Sequence, residues 1–178
     1  MQKFDDVWFT YKARIEAEVR LKNSDFYSQI LLVWYATLSS AASIVVLRHE
    51  KFLGSNTDVY AAVLSIAVLA VSMFVATRDF RGRALQMRAN HIALKRFFDE
   101  LKAGTINEIS KPELYAKYLL ECENHSTYDD RYFRVFNSHG LTNRKPTKFE
   151  HFYVWSMCSL RCLSFAVFFL LPLSVIWI

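Results

Sequence analysis

The sequence predicts an all-α membrane protein: a two-helix transmembrane hairpin with long cytoplasmic helical extensions and a third, C-terminal hydrophobic helix that is transmembrane or interfacial. Three observations carry this. Phe26 to Leu47 runs 22 residues without a charge and Val59 to Thr77 runs 19; at 1.5 Å per residue these are roughly 33 and 28 Å long, the thickness of a hydrocarbon core. Apolar residues make up 53% of the 178 residues and aromatics 16%, with fifteen Phe, too many to cover in so small a soluble domain. Finally, Lys and Arg number five before the first run, two between the runs and fourteen between Arg78 and Lys148. That bias places the N-terminus and the central segment inside the cell and the turn outside.

Four segments follow from these observations: 1–25, 26–77, 78–148 and 149–178. In the first, no Gly or Pro interrupts a stripe of Phe4, Trp8, Tyr11, Ile15 and Val19 at helical spacing, with charges of balanced sign on the other face. A solvated amphipathic helix is expected, continuing unbroken into the first span. A secretory signal is not expected, because the apolar run starts late and is too long. The residues from Arg48 to Asp58, which include Gly54, can make only a short outer turn.

Beyond Thr77 the pattern turns amphipathic. Phe80, Ala84, Met87, His91, Leu94, Phe98 and Leu101 recur at spacings of 4, 3, 4, 3, 4 and 3, the seam of a helix that packs on another helix. This seam is the candidate assembly surface, in a stalk formed with the N-terminal helix of the same chain or of a neighbour. Gly82 is the expected kink near the membrane surface and Gly104 the stop. Ser110-Lys-Pro-Glu113 predicts a capped helix start, and that helix closes in the polar cluster Glu123 to Asp130. Arg131 to Lys148 reads as a basic connector dotted with Tyr132, Phe133 and Phe136. In the last segment, Cys162 to Ile178 is free of charge for 17 residues, with Arg161 at its edge and Pro172 near its end.

Chemistry-bearing constellations are few. There is no phosphate loop, nucleophile elbow or histidine-glutamate zinc motif, so neither a catalytic site nor a cofactor is expected. His125 stands four residues before Asp129, beside Asp130, a spacing that suits a metal or an acid/base pair but matches no complete ligand set; helix caps and intersubunit hydrogen bonds explain the cluster better. Cys158 and Cys162 likewise form only half of a metal site. His91, on the apolar seam, reads as a satisfied core residue. On the spans, Thr37, Ser40, Ser43, Ser65 and Ser72 suit either close helix packing or a water-facing wall and are the candidate pore-lining residues. Asp25, Arg78 and Arg81 lie at the inner mouth, Glu50 and Asp58 at the outer one.

The order of elements resembles a known family. The charged helix Tyr11-Lys-Ala-Arg-Ile-Glu-Ala-Glu-Val-Arg-Leu21 leads into a span with Trp34-Tyr35. A short turn, a second span and the Arg-rich helix Phe80-Arg-Gly-Arg-Ala-Leu-Gln-Met-Arg88 follow. Next come Tyr118-Leu-Leu-Glu121, Glu123-Asn-His-Ser126 and Asp129-Asp130. This arrangement is similar to the SLATT domain, the two-span effector domain associated with SMODS nucleotidyltransferases and SLOG sensors in bacterial conflict systems. The resemblance implies a pore- or channel-forming homo-oligomer in the inner membrane that acts in antiviral defence by abortive infection. It also implies a trigger from a nucleotide signal or a partner such as a nucleotidyltransferase or reverse transcriptase system. Membrane lipid is the other expected partner, and direct nucleic-acid binding is not expected. Two other classes stand beside this one: a non-conducting scaffold recruiting a cytoplasmic partner through its stalk, and a membrane-tethered hydrolase using His125 with Asp129 or Asp130.

Overall fold

The computed structural model describes residues 4–48, 57–107, 109–141 and 143–174, and among them every regular element is a helix. α1 (Asp5–Arg48) is one unbroken helix of 44 residues, as the absence of Gly and Pro requires. α2 (Thr57–Arg78) and α3 (Phe80–Ala103) follow, then α4 (Lys111–Leu120), α5 (Thr127–Phe136), a 3-10 turn (Ser138–Gly140) and α6 (Lys148–Ser174). Most of the outer turn, with Glu50, lies outside the described residues.

Three expectations about boundaries need correction. The break after the second span falls at Asp79, with φ +40°, and not at Gly82, which lies within α3; Asp tolerates the left-handed region better than most residues, and a lone Gly inside a helix is a small cost. Ser110 makes no side-chain cap; it is itself helical, so its oxygen does not face the free N–H groups. The stretch 131–148 is not simply a connector, because α5 occupies its first third. The signal was Ser126-Thr-Tyr-Asp129: the structure shows a reciprocal capping box in which Ser126 Oγ accepts from the Asp129 N–H and Asp129 Oδ2 accepts from the Ser126 N–H. Gly104 does end α3. At φ +74°, it lets the Thr105 N–H reach the Glu100 carbonyl and its own N–H reach the Leu101 carbonyl, a Schellman close.

The chain folds as two units. In the first, residues 1–23 and 80–158, α1 runs antiparallel to α3. Val7 and Tyr11 pack with Leu94, Phe97, Phe98 and Leu101 at one end of the pairing, and Ala17 and Leu21 with Ala84 and Met87 at the other. α4 lays Leu114, Tyr115 and Tyr118 onto the first of these clusters. α5 contributes Phe133 against Phe9 and Leu141, and packs Tyr128 and Val135 around Val154 of α6. Its Arg134 makes a two-pronged ion pair with Glu150, at 2.6 and 3.1 Å, and Glu150 also caps α6 by accepting from the Thr147 N–H.

The second unit, residues 24–79 and 159–178, holds α2 and the apolar parts of α1 and α6. Among the described residues three helices are long and apolar enough to cross a membrane, α6 among them. Pro172 sits inside α6 and has no N–H to offer the Phe168 carbonyl one turn back. In lipid that carbonyl would be costly, and Tyr35 supplies the missing donor: its hydroxyl donates to Phe168 O at 2.8 Å. The neighbouring Trp34 donates Nε1–H to Phe169 O at 2.9 Å while its ring stacks on Phe169 at 4.5 Å. Tyr35→Phe is therefore expected to destabilise the packing of α6 on α1 by about 1–3 kcal/mol, the cost of a stranded buried acceptor. In a Pro172→Ala background residue 172 regains its N–H, and the same substitution should cost almost nothing. Thermal aggregation of the detergent-solubilised chain across the double-mutant cycle measures both; equal costs in the two backgrounds would refute the pairing.

Candidate functional site

Polar groups are buried at the centre of the α1–α3 pairing and around Asp129, and hydroxyls lie on the surfaces of the spans.

At the centre of the pairing lies Arg14, fully buried at 0% exposure. Its guanidinium donates to Asn90 Oδ1 on α3, to the Tyr118 and Leu119 carbonyls near the end of α4, and to Cys122 Sγ. Asn90 in turn donates to the Tyr118 carbonyl at 2.8 Å and to Glu121 at 3.2 Å. The cation thus sits against carbonyls at the C-terminal, electronegative end of α4, where a positive charge is favoured. Burial nevertheless pulls its pKa below the usual guanidinium value, with Cys122, Tyr115 and Glu121 acting the other way. One turn along, His91 Nε2 meets Glu18 Oε2 at 2.7 Å, and Lys22 closes on the other Glu18 oxygen at 2.5 Å. Burial pushes the Glu18 carboxyl up, but the bonds from Lys22 and His91 outweigh it and hold the pKa below the ordinary value.

These contacts show which residues of α1 form its true inner row. Val7, Tyr11, Arg14, Glu18 and Leu21 recur at spacings of 4, 3, 4 and 3, and all are buried. The purely apolar stripe expected on α1 is only partly inside: Tyr11 is buried, Phe4, Trp8 and Ile15 are half-buried, and Val19 is 46% exposed. Two charged residues on the inner row disguised it. On α3 the expected seam is real, since Ala84, Met87, Leu94, Phe98 and Leu101 are buried, Phe80 packs on the Ala17–Leu21 cluster, and His91 is satisfied by Glu18. Its partner is α1 of the same chain.

In the polar cluster Asp129 is bonded to groups other than His125. Both Asp129 oxygens are engaged: Oδ1 receives Arg20 Nε–H at 2.7 Å, and Oδ2 receives Arg20 Nη2–H at 3.0 Å and the Ser126 cap. Asp130 pairs with Arg134 at 3.0 Å. The cluster thus caps α5, as expected of it, and fastens α5 to α1 within the chain. His125 Nδ1 is buried without a partner among the described residues. Cys158 Sγ lies 3.2 Å from the Tyr128 hydroxyl, while Cys162 is exposed.

The surroundings of His125 set a pH dependence. Burial lowers its pKa below 6.5, and Arg14 lowers it further against the pull of Asp130 and Asp129. As pH falls, the unfolded chain takes up a proton before the folded one, so stability is full above about pH 6.5 and declines toward the depressed folded pKa. Glu16, raised by burial and by Asp129, works in the opposite sense at the acid end. The thermal midpoint is expected to drop between about pH 7 and pH 5.5, and His125→Asn should flatten that drop. A slope unchanged in the variant would assign the titration elsewhere.

On the spans, every candidate pore hydroxyl bonds back to its own helix. Thr37 donates to the Val33 carbonyl, Ser40 to Ala36, Ser43 to Ser39, Ser65 to Ala61 and Ser72 to Val68, at 2.7 to 2.9 Å. With the donors satisfied internally, these side chains present small surfaces that tolerate both a helix neighbour and water. All but Ser72, which is half-buried, are exposed in the single chain. Of the candidate mouth residues, Asp25 accepts from Gln29, Arg78 lies over the Phe74 ring at 4.9 Å, and Arg81 is exposed. The side chain of Asp58 lies outside the described residues.

Residues 2–178 match the family model described as SMODS and SLOG-associating 2TM effector domain family 5. No curated protein and no solved structure matches the chain.

Proposed function

The chain belongs to the SMODS and SLOG-associating 2TM effector domain family, and from that premise we propose that it is an oligomeric effector of bacterial antiviral defence that forms or gates a pore in the inner membrane. The supporting observation is how little the spans cover one another. None of the most apolar 18-residue stretch of the second span is buried within the chain, and only 6% of each of the other two. Surface of that kind meets lipid or further copies of the chain, and the hydroxyl-bearing faces at Thr37, Ser40, Ser43, Ser65 and Ser72 supply the small, wettable element a conducting path needs.

In this proposal the N-terminus and residues 78–148 face the cytoplasm, following the positive charge. The unit built on α1, α3, α4 and α5 receives the trigger, a nucleotide signal or a partner protein. No catalytic step is assigned: Asp129, one of the two carboxylates a hydrolase could pair with His125, is held by Arg20 and the Ser126 cap.

The test is leakage from liposomes carrying the purified full-length chain, alongside loss of membrane potential on expression. Ser72→Leu is expected to leave the particle size unchanged while making the constriction apolar and lowering the leak. An intact oligomer in a tight membrane would instead support the scaffold reading. A Ser72→Leu particle leaking at the wild-type rate would remove Ser72 from the path.

A further inference from the structure

We infer that the outer face of α3 is a docking surface for an acidic amphipathic helix of a partner protein. This deepens the reading above, in which the first unit receives a trigger, and rests on it.

Arg81, Arg88, Lys95 and Lys102 stand seven residues apart along α3. At about 100° per residue they fall within roughly 60° of arc, and they cover roughly 32 Å of helix length. All four are exposed and clear of the packed seam. Leu85 and Ile92, themselves one heptad apart, lie beside this row at 55% and 41% exposure. Arg96, one turn beyond Ile92, is exposed as well. Of these five cations, only Lys95 has an ion pair among the described residues, a loose one with Asp99 at 3.6 Å.

Orientation in a membrane and simple solvation do not account for this pattern. The positive-inside bias depends on how many cations a segment holds and is indifferent to where they stand around a helix. A solvated helix face ordinarily alternates its signs, with an acid one turn from a base. On α3 the cations line up on one face with two aliphatic side chains among them. The remaining cation of α3, Arg83, stands off the row and is paired with Glu123 at 2.8 Å.

Complementarity decides the occupant. Carboxylates must meet the row and apolar groups must meet Leu85 and Ile92, both at the seven-residue repeat that an α-helix presents. A nucleic-acid backbone supplies the charge without the apolar groups. A second copy of the chain has no acidic row to supply. Apart from Glu16, Glu100 and Glu113, which lie on three different helices, each described carboxylate of the first unit is already engaged within the chain.

The experiment is fluorescence anisotropy with the purified full-length chain in detergent and three labelled probes. The first is a synthetic helical peptide carrying Leu and Glu on one face at a seven-residue repeat. The second has the same composition in scrambled order, and the third is a single-stranded DNA of equal charge. The first is expected to bind at least about tenfold more tightly than either of the others. Arg88→Glu with Lys95→Glu should lower that affinity by at least about tenfold, and a peptide with Lys in place of Glu should bind this variant in its stead. Both positions are exposed, so the helical content of the variant should match that of the wild type. Equal binding of the ordered and scrambled peptides overturns the docking surface, as does tighter binding of the DNA or no binding at all. A chain that ignores the peptide yet makes liposomes leak loses this surface and keeps the effector reading. One that binds the peptide and leaves liposomes tight keeps the surface and loses the pore.

Discussion

Leu94→Asp should unfold the first unit and leave the spans in the membrane. Leu94 is fully buried, among Val7, Tyr11, Phe97, Phe98 and Leu101. A carboxylate there has no cation to meet and no water, at a cost of about 3–5 kcal/mol, a large share of the stability of a unit this size. Limited proteolysis reports the outcome. Cleavage between residues 80 and 158 is expected at protease concentrations the wild type survives, while fragments containing 26–48 and 59–77 remain membrane-bound. Ala89→Asp, on the exposed side of α3, is the control and should change stability by less than about 0.5 kcal/mol. The combination that overturns this account is wild-type protease resistance with a smaller particle. It would mean that the seam meets a neighbouring chain in solution, and that its contact with α1 is not what holds the unit together.

Arg14→Ala should have the next largest effect, on α4. One guanidinium holds Asn90 and the carbonyls of Tyr118 and Leu119, tying α1, α3 and α4 together. Its removal leaves buried acceptors without donors and a void where the side chain lay, for a loss of about 2–4 kcal/mol. Arg14→Lys should recover little of it, because a single ammonium cannot present the fork that reaches three acceptors on two elements. Amide hydrogen exchange checks the claim by location: residues 111–120 should lose protection first and most, with α5 following less strongly through its own anchor, Arg20 to Asp129. Uniform loss across the unit would show that Arg14 supports the whole core and does not specifically dock α4.

The membrane architecture was open in the chain because lipid imposes a one-dimensional rule. A helix that crosses must be long, apolar and uncharged, and the runs 26–47 and 59–77 satisfy that without reference to anything distant. The continuous α1 and the stop at Gly104 were local matters too, set by the absence of breakers and by a backbone conformation that Gly accepts readily. The same holds for the seam of α3, whose period is written in its apolar side chains. Family membership followed from the order of these elements, which a sequence displays directly.

Tertiary structure decided whatever depended on a partner far along the chain. Arg14 and Glu18 read as a solvated face because charge is normally expelled from a core. Only Asn90, the α4 carbonyls, His91 and Lys22, brought in from elsewhere, make their burial affordable and so define the inner row of α1. Asp129 offered a carboxylate near a histidine until Arg20, 109 positions away, took both its oxygens. Pro172 promised only a tolerated irregularity, and the hydroxyl of Tyr35 made it a docking point.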